Sequence, residues 1–277
     1  MHKVFFLIFF FAALTVKAQN LHLTLFGGFS NYQGDLQEKG YTIDQAHPAF
    51  GVGLLYDING HLSLRANVNQ GTLSGNDKYN PRNFERNLNF SSPITDIHLG
   101  VEYNILNLNI RRFSPYLFAG ISYFKFNPST KDSAGQKIYL QPLSTEGQGF
   151  YEDRRAYKLG RFAIPFGAGI KFSITAAIRL AFEIGMRKTN TDYLDDISTT
   201  YIDQHILFAN RGSQAVDLAF RGDELKTGLV YPGDGSQRGK EANKDWYYFS
   251  GFNVIIKLHD AARAYARRSK YGCPAAL

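Results

Sequence analysis

Polar and apolar residues alternate with a period of two in one segment of this chain after another, the spacing of strands that present different faces to different surroundings. The clearest is Ile178–Arg187, where Ile178, Leu180, Phe182, Ile184 and Met186 share one face and Arg179, Ala181, Glu183, Gly185 and Arg187 the other. Leu62, Leu64, Ala66 and Val68 alternate in the same way with Ser63, Arg65, Asn67 and Asn69. So do Ile97, Leu99, Val101 and Tyr103 with Asp96, His98, Gly100 and Glu102, and Phe162 to Phe172 with Arg161 to Lys171. The pattern predicts eight strands, at roughly 21–33, 47–58, 61–72, 93–105, 113–127, 159–174, 178–192 and 245–258.

The connections decide the architecture. Three are short: the Asn59-Gly60 turn, the Asn-rich link Leu106–Arg112, and Thr175-Ala176-Ala177. The other four, near 34–46, 73–92, 128–158 and 193–244, are long and polar. Short turns at one end and long loops at the other predict an all-β fold. It is an eight-stranded antiparallel up-and-down transmembrane β-barrel of the outer-membrane type, with short periplasmic turns and long extracellular loops. An even strand number puts both termini in the periplasm. Tyr32, Tyr116, Phe124, Phe126, Trp246 and Tyr248, near strand ends, fit interfacial girdles. Pro165, inside the sixth strand, predicts a bulge or a lost ladder bond.

Alternation alone leaves one competitor, a soluble lipocalin-like barrel with its apolar face inward. Charge favours lipid outside. Arg65, Glu102, Lys171, Arg179, Glu183 and Arg187 fall on the polar face and can pair across a narrow lumen. The glycines fall mainly on that face too, as a tapered interior requires. An eight-stranded lumen is about filled by its own side chains, so these charges read as structural pairs and not as a diffusion pore.

At the N-terminus Lys3 precedes an apolar run, Val4–Val16, and Val16-Lys17-Ala18 supplies small residues for cleavage before Gln19. A run of about 13 apolar residues is too short for a membrane anchor. Residues 1–18 therefore read as an export signal, 19–258 as the barrel and 259–277 as a basic periplasmic tail. Losing Lys3 and Lys17 takes the formal charge from +7 to +5. Arg263, Arg267, Arg268 and Lys270 against Asp260 put +3 of that in the tail. Charge confined to a tail suits a local partner and argues against nucleic acid.

Candidate chemistry is sparse. The chain has 7 histidines without zinc-site spacing, and no phosphate loop or nucleophile elbow. No cofactor and no metal are expected. His98 faces the predicted lumen with no serine assignable beside it, so a hydrogen-bonded lumen histidine is the expectation over a Ser/His pair. Asp192, Asp195 and Asp196 bring three carboxylates within one short segment that would suit Ca²⁺, but they match no EF-hand and suit Asp-directed turns better. Cys273 is the only cysteine, and in an oxidising compartment it reads as a free thiol or an intermolecular disulfide. It follows a stretch where Arg263, Arg267 and Lys270 share one face of a possible short helix. That tail is either solvated or a docking element.

Arg187-Lys188-Thr189-Asn190-Thr191-Asp192-Tyr193-Leu194-Asp195-Asp196-Ile197-Ser198 resembles the RKT-x-TDYLDD-[VI]-S segment of PorG-type barrels of the Bacteroidetes type IX secretion system, a DUF6089-like family. Arg238-Gly239 through Lys244-Asp245-Trp246-Tyr247, and the opening GG-x-SNY-x-GDL at Gly27–Leu36, are similar as well. The resemblance covers the whole mature chain and implies a structural role without catalysis. Such barrels tie a periplasmic ring, built from a lipoprotein and its partner, to the outer membrane. Outer-membrane lipids and that ring are then the expected partners, with Cys273 as one covalent route. Two other roles fit the same chain: an OmpA-like adhesin acting through its long loops, and a lipid-modifying barrel enzyme.

Overall fold

The computed structural model describes residues 20–151, 154–226 and 228–258. Ten strands follow in chain order: β1 Leu21–Gln33, β2 His47–Asp57, β3 Leu62–Asn76, β4 Asn89–Asn104, β5 Phe113–Phe126, β6 Ser129–Lys131, β7 Lys137–Tyr139, β8 Gly160–Ser173, β9 Ile178–Thr189 and β10 Trp246–Lys257. Eight of them pair in a ring, β3-β2-β1-β10-β9-β8-β5-β4, and β3 closes on β4. Every pairing is antiparallel. The fold is a closed eight-stranded barrel. Closure leaves the long strands without a free edge.

Parity settles which face is outside. Leu25, Val52, Leu64, Leu99, Ile121, Ile164, Ile184 and Phe252, one from each long strand, are all exposed on the exterior. On the opposite parity Arg65, Asp96, Glu102, Lys171, Glu183 and Arg187 are buried inside. An apolar belt of this extent around a charged interior is the outer-membrane arrangement, and it removes the lipocalin alternative. No described helix is long and apolar enough to cross a membrane.

The girdle expectation needs correction. Tyr32, Tyr116, Phe124 and Phe126 are at most 3% exposed and point into the barrel. They share parity with Ser30 on β1 or Ser122 on β5, which also face inward. The exterior aromatics are others. Tyr103, Phe113 and Phe172 lie toward the short-turn end, and Phe50 and Phe162 toward the long loops. Trp246 is half-buried, edge-on to Phe166. Tyr248 is buried under Tyr41 and donates to Gln33.

Local chemistry explains the turns. Asn59 Oδ1 accepts both His61 N and Leu62 N at 2.9 Å, which closes the β2–β3 turn. Gly60 serves close approach: a Cβ there would meet the Asn107 side chain, and its carbonyl accepts from Leu108 N at 3.1 Å, joining two neighbouring turns. Pro165 does lose a ladder bond. The β5–β8 pairing stops at Ala119↔Phe166 and resumes at Ser122↔Ala163 in the same register, so the interruption carries no bulge.

Strands β3 and β4 run further than predicted, to Asn76 and from Asn89. Their extensions pair Ser74 with Ser91 and Asn76 with Asn89, polar residues whose ladder gives no hydropathy contrast. The long loops also hold structure that the pattern did not predict. The β5–β8 loop contains the β6–β7 hairpin, and the β9–β10 loop contains helices α1 Gln204–Arg211 and α2 Ser213–Ala219. Asp203 caps α1, accepting from His205 N at 2.8 Å and Ile206 N at 3.1 Å.

Candidate functional site

Two regions concentrate chemistry, the lumen and the plug at its long-loop mouth. In the lumen Arg65 on β3 reaches across to Glu183 on β9 with two bonds, at 2.8 and 3.0 Å. Glu102 lies 3.8 Å from the same guanidinium and accepts from Lys171, while Tyr116 donates to Glu183 at 2.8 Å. These four charges cancel. The Arg65 guanidinium stacks over Phe118 at 4.2 Å from the ring centroid. At this level a void of only about 10 Å³ remains, no more than one water needs.

Further pairs sit above and below. Toward the loops, Arg187 lies 3.8 Å from Asp96 and bonds Gly185 O at 2.8 Å, and Tyr247 donates to Asp96 at 2.7 Å. Toward the turns, Asp57 takes Arg179 at 2.8 Å, His22 at 3.0 Å and Ser63 at 2.7 Å. The six lumen charges named from sequence thus sit in three groups of pairs along the lumen. Asp96, on the polar face of its strand, takes Arg187, while Asp57, Tyr116 and Tyr247 are further partners that the sequence did not single out as lumen residues. His98 is fully buried beside Phe118, and neither ring nitrogen has a hydrogen-bond partner among the described residues. Ser122 stands opposite it in register, yet no bond joins them. A substrate on the lipid side meets neither residue.

The plug is built around Asp192–Asp196. Leu194 and Ile197 are buried in an aromatic cluster with Tyr32, Leu36, Phe90, Phe124 and Tyr247, directly over the lumen. Tyr157 lies flat against Tyr193, ring centroids 4.7 Å apart. The carboxylates diverge to separate partners. Asp195 accepts from Tyr32 at 2.6 Å and from Ile197 N at 3.0 Å. Asp196, in a left-handed conformation at φ 67, takes Thr145 and Tyr157 at 2.6 Å each. Among the described residues no three His, Cys, Asp or Glu side chains group as metal ligands. The motif makes turns and ties between loops.

Glu146, not singled out in sequence, and Arg238, singled out only as the start of a family-like segment, are the ties between loops. Glu146 accepts from Ser198 N at 2.9 Å, Thr199 N at 3.0 Å and Thr199 Oγ1 at 2.7 Å. Arg238 donates to Glu146 at 2.9 Å, to Asp196 O at 2.7 Å and to Ala219 O at 3.2 Å. Its own carbonyl accepts from Arg86, which also forks onto Asp77 at 2.7 and 2.9 Å. All four long loops meet here, the first through the Asp35 carbonyl that takes Arg86 at 3.2 Å.

Burial makes the plug sensitive to protons. It lifts Asp192 to about 7, helped by Asp35 and Glu146, and Asp196 to about 6 against the pull of Arg238. Asp195 and Asp245 are also raised, by burial first, then Asp195 by Asp35 and Asp192, and Asp245 by Asp195 and Asp192. The folded plug therefore holds protons that the open loop has released between about pH 4 and pH 7. Its stability is fullest below the ordinary Asp value and falls as pH rises through the raised values. Asp196 alone accounts for about 3 kcal/mol. Proteolysis of the β9–β10 loop in the intact barrel is expected to quicken from about pH 5 to about pH 8 after correction for protease activity. A rate flat across that range, or falling, would contradict this reading.

Residues 1–18 and the tail, with Arg263, Arg267, Arg268, Lys270 and Cys273, lie outside the described residues.

Comparison with known proteins places the fold in context. Residues 1–214 match the family described as a domain of unknown function, DUF6089. No curated protein matches the chain. Among solved structures, Neisserial surface protein A is similar at 9% identity and TM-score 0.43, over 86% of this chain and 97% of that one. Ail, the attachment invasion locus protein of Yersinia pestis, is similar at 11% identity and TM-score 0.39, over 85% and 97%. OprG from Pseudomonas aeruginosa is similar at 8% identity and TM-score 0.35, over 86% and 97%.

Proposed function

Because the chain belongs to the DUF6089 family, we propose that it is an outer-membrane component of the type IX protein secretion system. In this reading it anchors a periplasmic, lipoprotein-containing ring to the membrane. The observation that carries the reading is the filled barrel: stacked ion pairs occupy the lumen and a bonded plug covers its mouth. The Arg187–Ser198 resemblance supplies the machine.

The attachment surface is the short-turn end. Strands β1 and β10 pair His22 with Lys257 there, so the chain enters and leaves the barrel on that side. Ile58, Leu106, Ile110 and Ile174 are exposed on those turns, Ile110 at 78%, and Arg111 and Arg112 are exposed beside them. The tail follows from the same end. Its Arg263, Arg267, Arg268 and Lys270 would meet an acidic partner surface, and Cys273 would fix the contact by a disulfide.

Deleting residues 259–277 tests this. The shortened barrel is expected to insert and keep its heat-modifiable migration while losing the co-purifying periplasmic lipoprotein. Cys273→Ser is expected to abolish any reductant-sensitive heavier species. Undiminished co-purification from the deletion would remove the tail from the account.

A further inference from the structure

From the cleft between the β1–β2 loop and the β3–β4 loop we infer a binding site for a neutral saccharide. This goes beyond the anchoring reading and does not depend on it. The cleft holds about 280 Å³ at the long-loop end of the barrel, near the lower bound of about 300 Å³ for small-molecule sites. That is room for one ring of a larger glycan.

Two residues of its lining each hold a buried polar atom with no hydrogen-bond partner among the described residues: Gln45 Oε1, on a residue 6% exposed, and Asn80 Nδ2, on one 8% exposed. One is an acceptor and the other a donor. A buried unsatisfied group costs about 1–3 kcal/mol, so two in one cleft point to something that completes both. The Asn80 amide is not free to turn. Its Oδ1 accepts from Arg82 N at 3.1 Å, which holds Nδ2 as the group left for the cleft.

Both walls are set in advance. In the first loop Gln37 Nε2 donates to Asn31 Oδ1 at 2.7 Å, its Oε1 accepts from Thr42 at 3.2 Å, and Asn31 bonds the Thr42 carbonyl. In the second, Asp77 is fully buried under the Arg86 fork, and Asn76 caps the turn that carries Tyr79 and Asn80. Preformed walls lower the ordering cost of binding.

The chemistry of the lining selects the class. A hydroxyl both donates and accepts, so sugar hydroxyls suit both an unpaired acceptor such as Gln45 Oε1 and an unpaired donor such as Asn80 Nδ2. Pro81 and the half-exposed Tyr79 ring offer apolar surface to a sugar's C–H face. Glu38 and Asp44 outnumber Lys39 in the same lining and disfavour a polyanion. The same sugar chemistry has two sources, the polysaccharide of the cell's own outer leaflet and glycans of its surroundings.

The test uses the full chain in a detergent without a sugar headgroup, read by saturation-transfer NMR. One arm takes neutral hexose and N-acetylhexosamine oligosaccharides; the other takes lipid-free polysaccharide released from the producing cell. Binding in either arm is expected, and the arm that binds names the source. Asn80→Asp keeps the Arg82 cap but removes the donor, and Gln45→Leu removes the acceptor. Each is expected to weaken binding about tenfold or more, with an unchanged proteolysis pattern reporting an intact plug. Silence in both arms, affinity untouched by either variant, or preference for a sulfated oligosaccharide would overturn the site.

Discussion

Replacing Arg238 with alanine is expected to open the plug while leaving the barrel folded. The guanidinium is 4% exposed at the residue level and joins Glu146 of the β5–β8 loop to the Asp196 and Ala219 carbonyls of the β9–β10 loop. Without it Glu146 keeps its hydrogen bonds from Ser198, Thr199 and Tyr193 but no cation. Removing one partner of a buried pair costs about 3–5 kcal/mol, because a buried charge is left behind. The open population should then rise by roughly 10² to 10⁴. Protease cleavage between Thr191 and Lys244 and amide exchange in α1 and α2 report it. The barrel ladder lies outside these contacts, so heat-modifiable migration should persist. Equal cleavage rates in variant and wild type would mean that the loops are held by apolar packing alone.

In the lumen the largest effect is expected at Arg65. Arg65→Leu strands Glu183, whose remaining neutral donor is Tyr116, and leaves Glu102 to Lys171. Barrel stability in lipid vesicles, followed by urea, should drop by about 3–5 kcal/mol. Replacing Glu183 with leucine in the same chain removes both charges of the pair. That double variant should recover most of the loss, since a buried ion pair is often no better than well-packed apolar residues. A double variant that loses the sum of both single changes would show that the pair is not a unit.

Much of this architecture is readable in the residues. Where a strand separates lipid from lumen, as at Ile178–Arg187, the contrast between neighbours is large and the strand ends fall within three residues of their predicted places. The contrast disappears above the membrane. The paired Ser74–Ser91 and Asn76–Asn89 positions look like loop in sequence because water faces both sides of them. Helices α1 and α2 are short, and their burial comes from tertiary contacts of Leu207, Ala215 and Ala219 with Ile202, not from a long periodic face. The aromatics failed for another reason. Their nearness to strand ends suggested a girdle, while parity, the stronger constraint, turned Tyr32, Phe124 and Phe126 inward to support the plug. Nothing local in the sequence pairs Glu146 with Arg238. They lie far apart in sequence and meet only when the loops fold over the mouth.

The account rests on a barrel that attaches and does not conduct, and a planar-bilayer recording of the purified full chain tests that most directly. Stacked charge pairs in a filled lumen under a bonded plug predict a silent bilayer at low pH, where the plug is tightest, and no stable steps at neutral pH either. Regular ohmic openings like those of a general porin, present at both, would contradict the filled lumen and the anchoring role built on it.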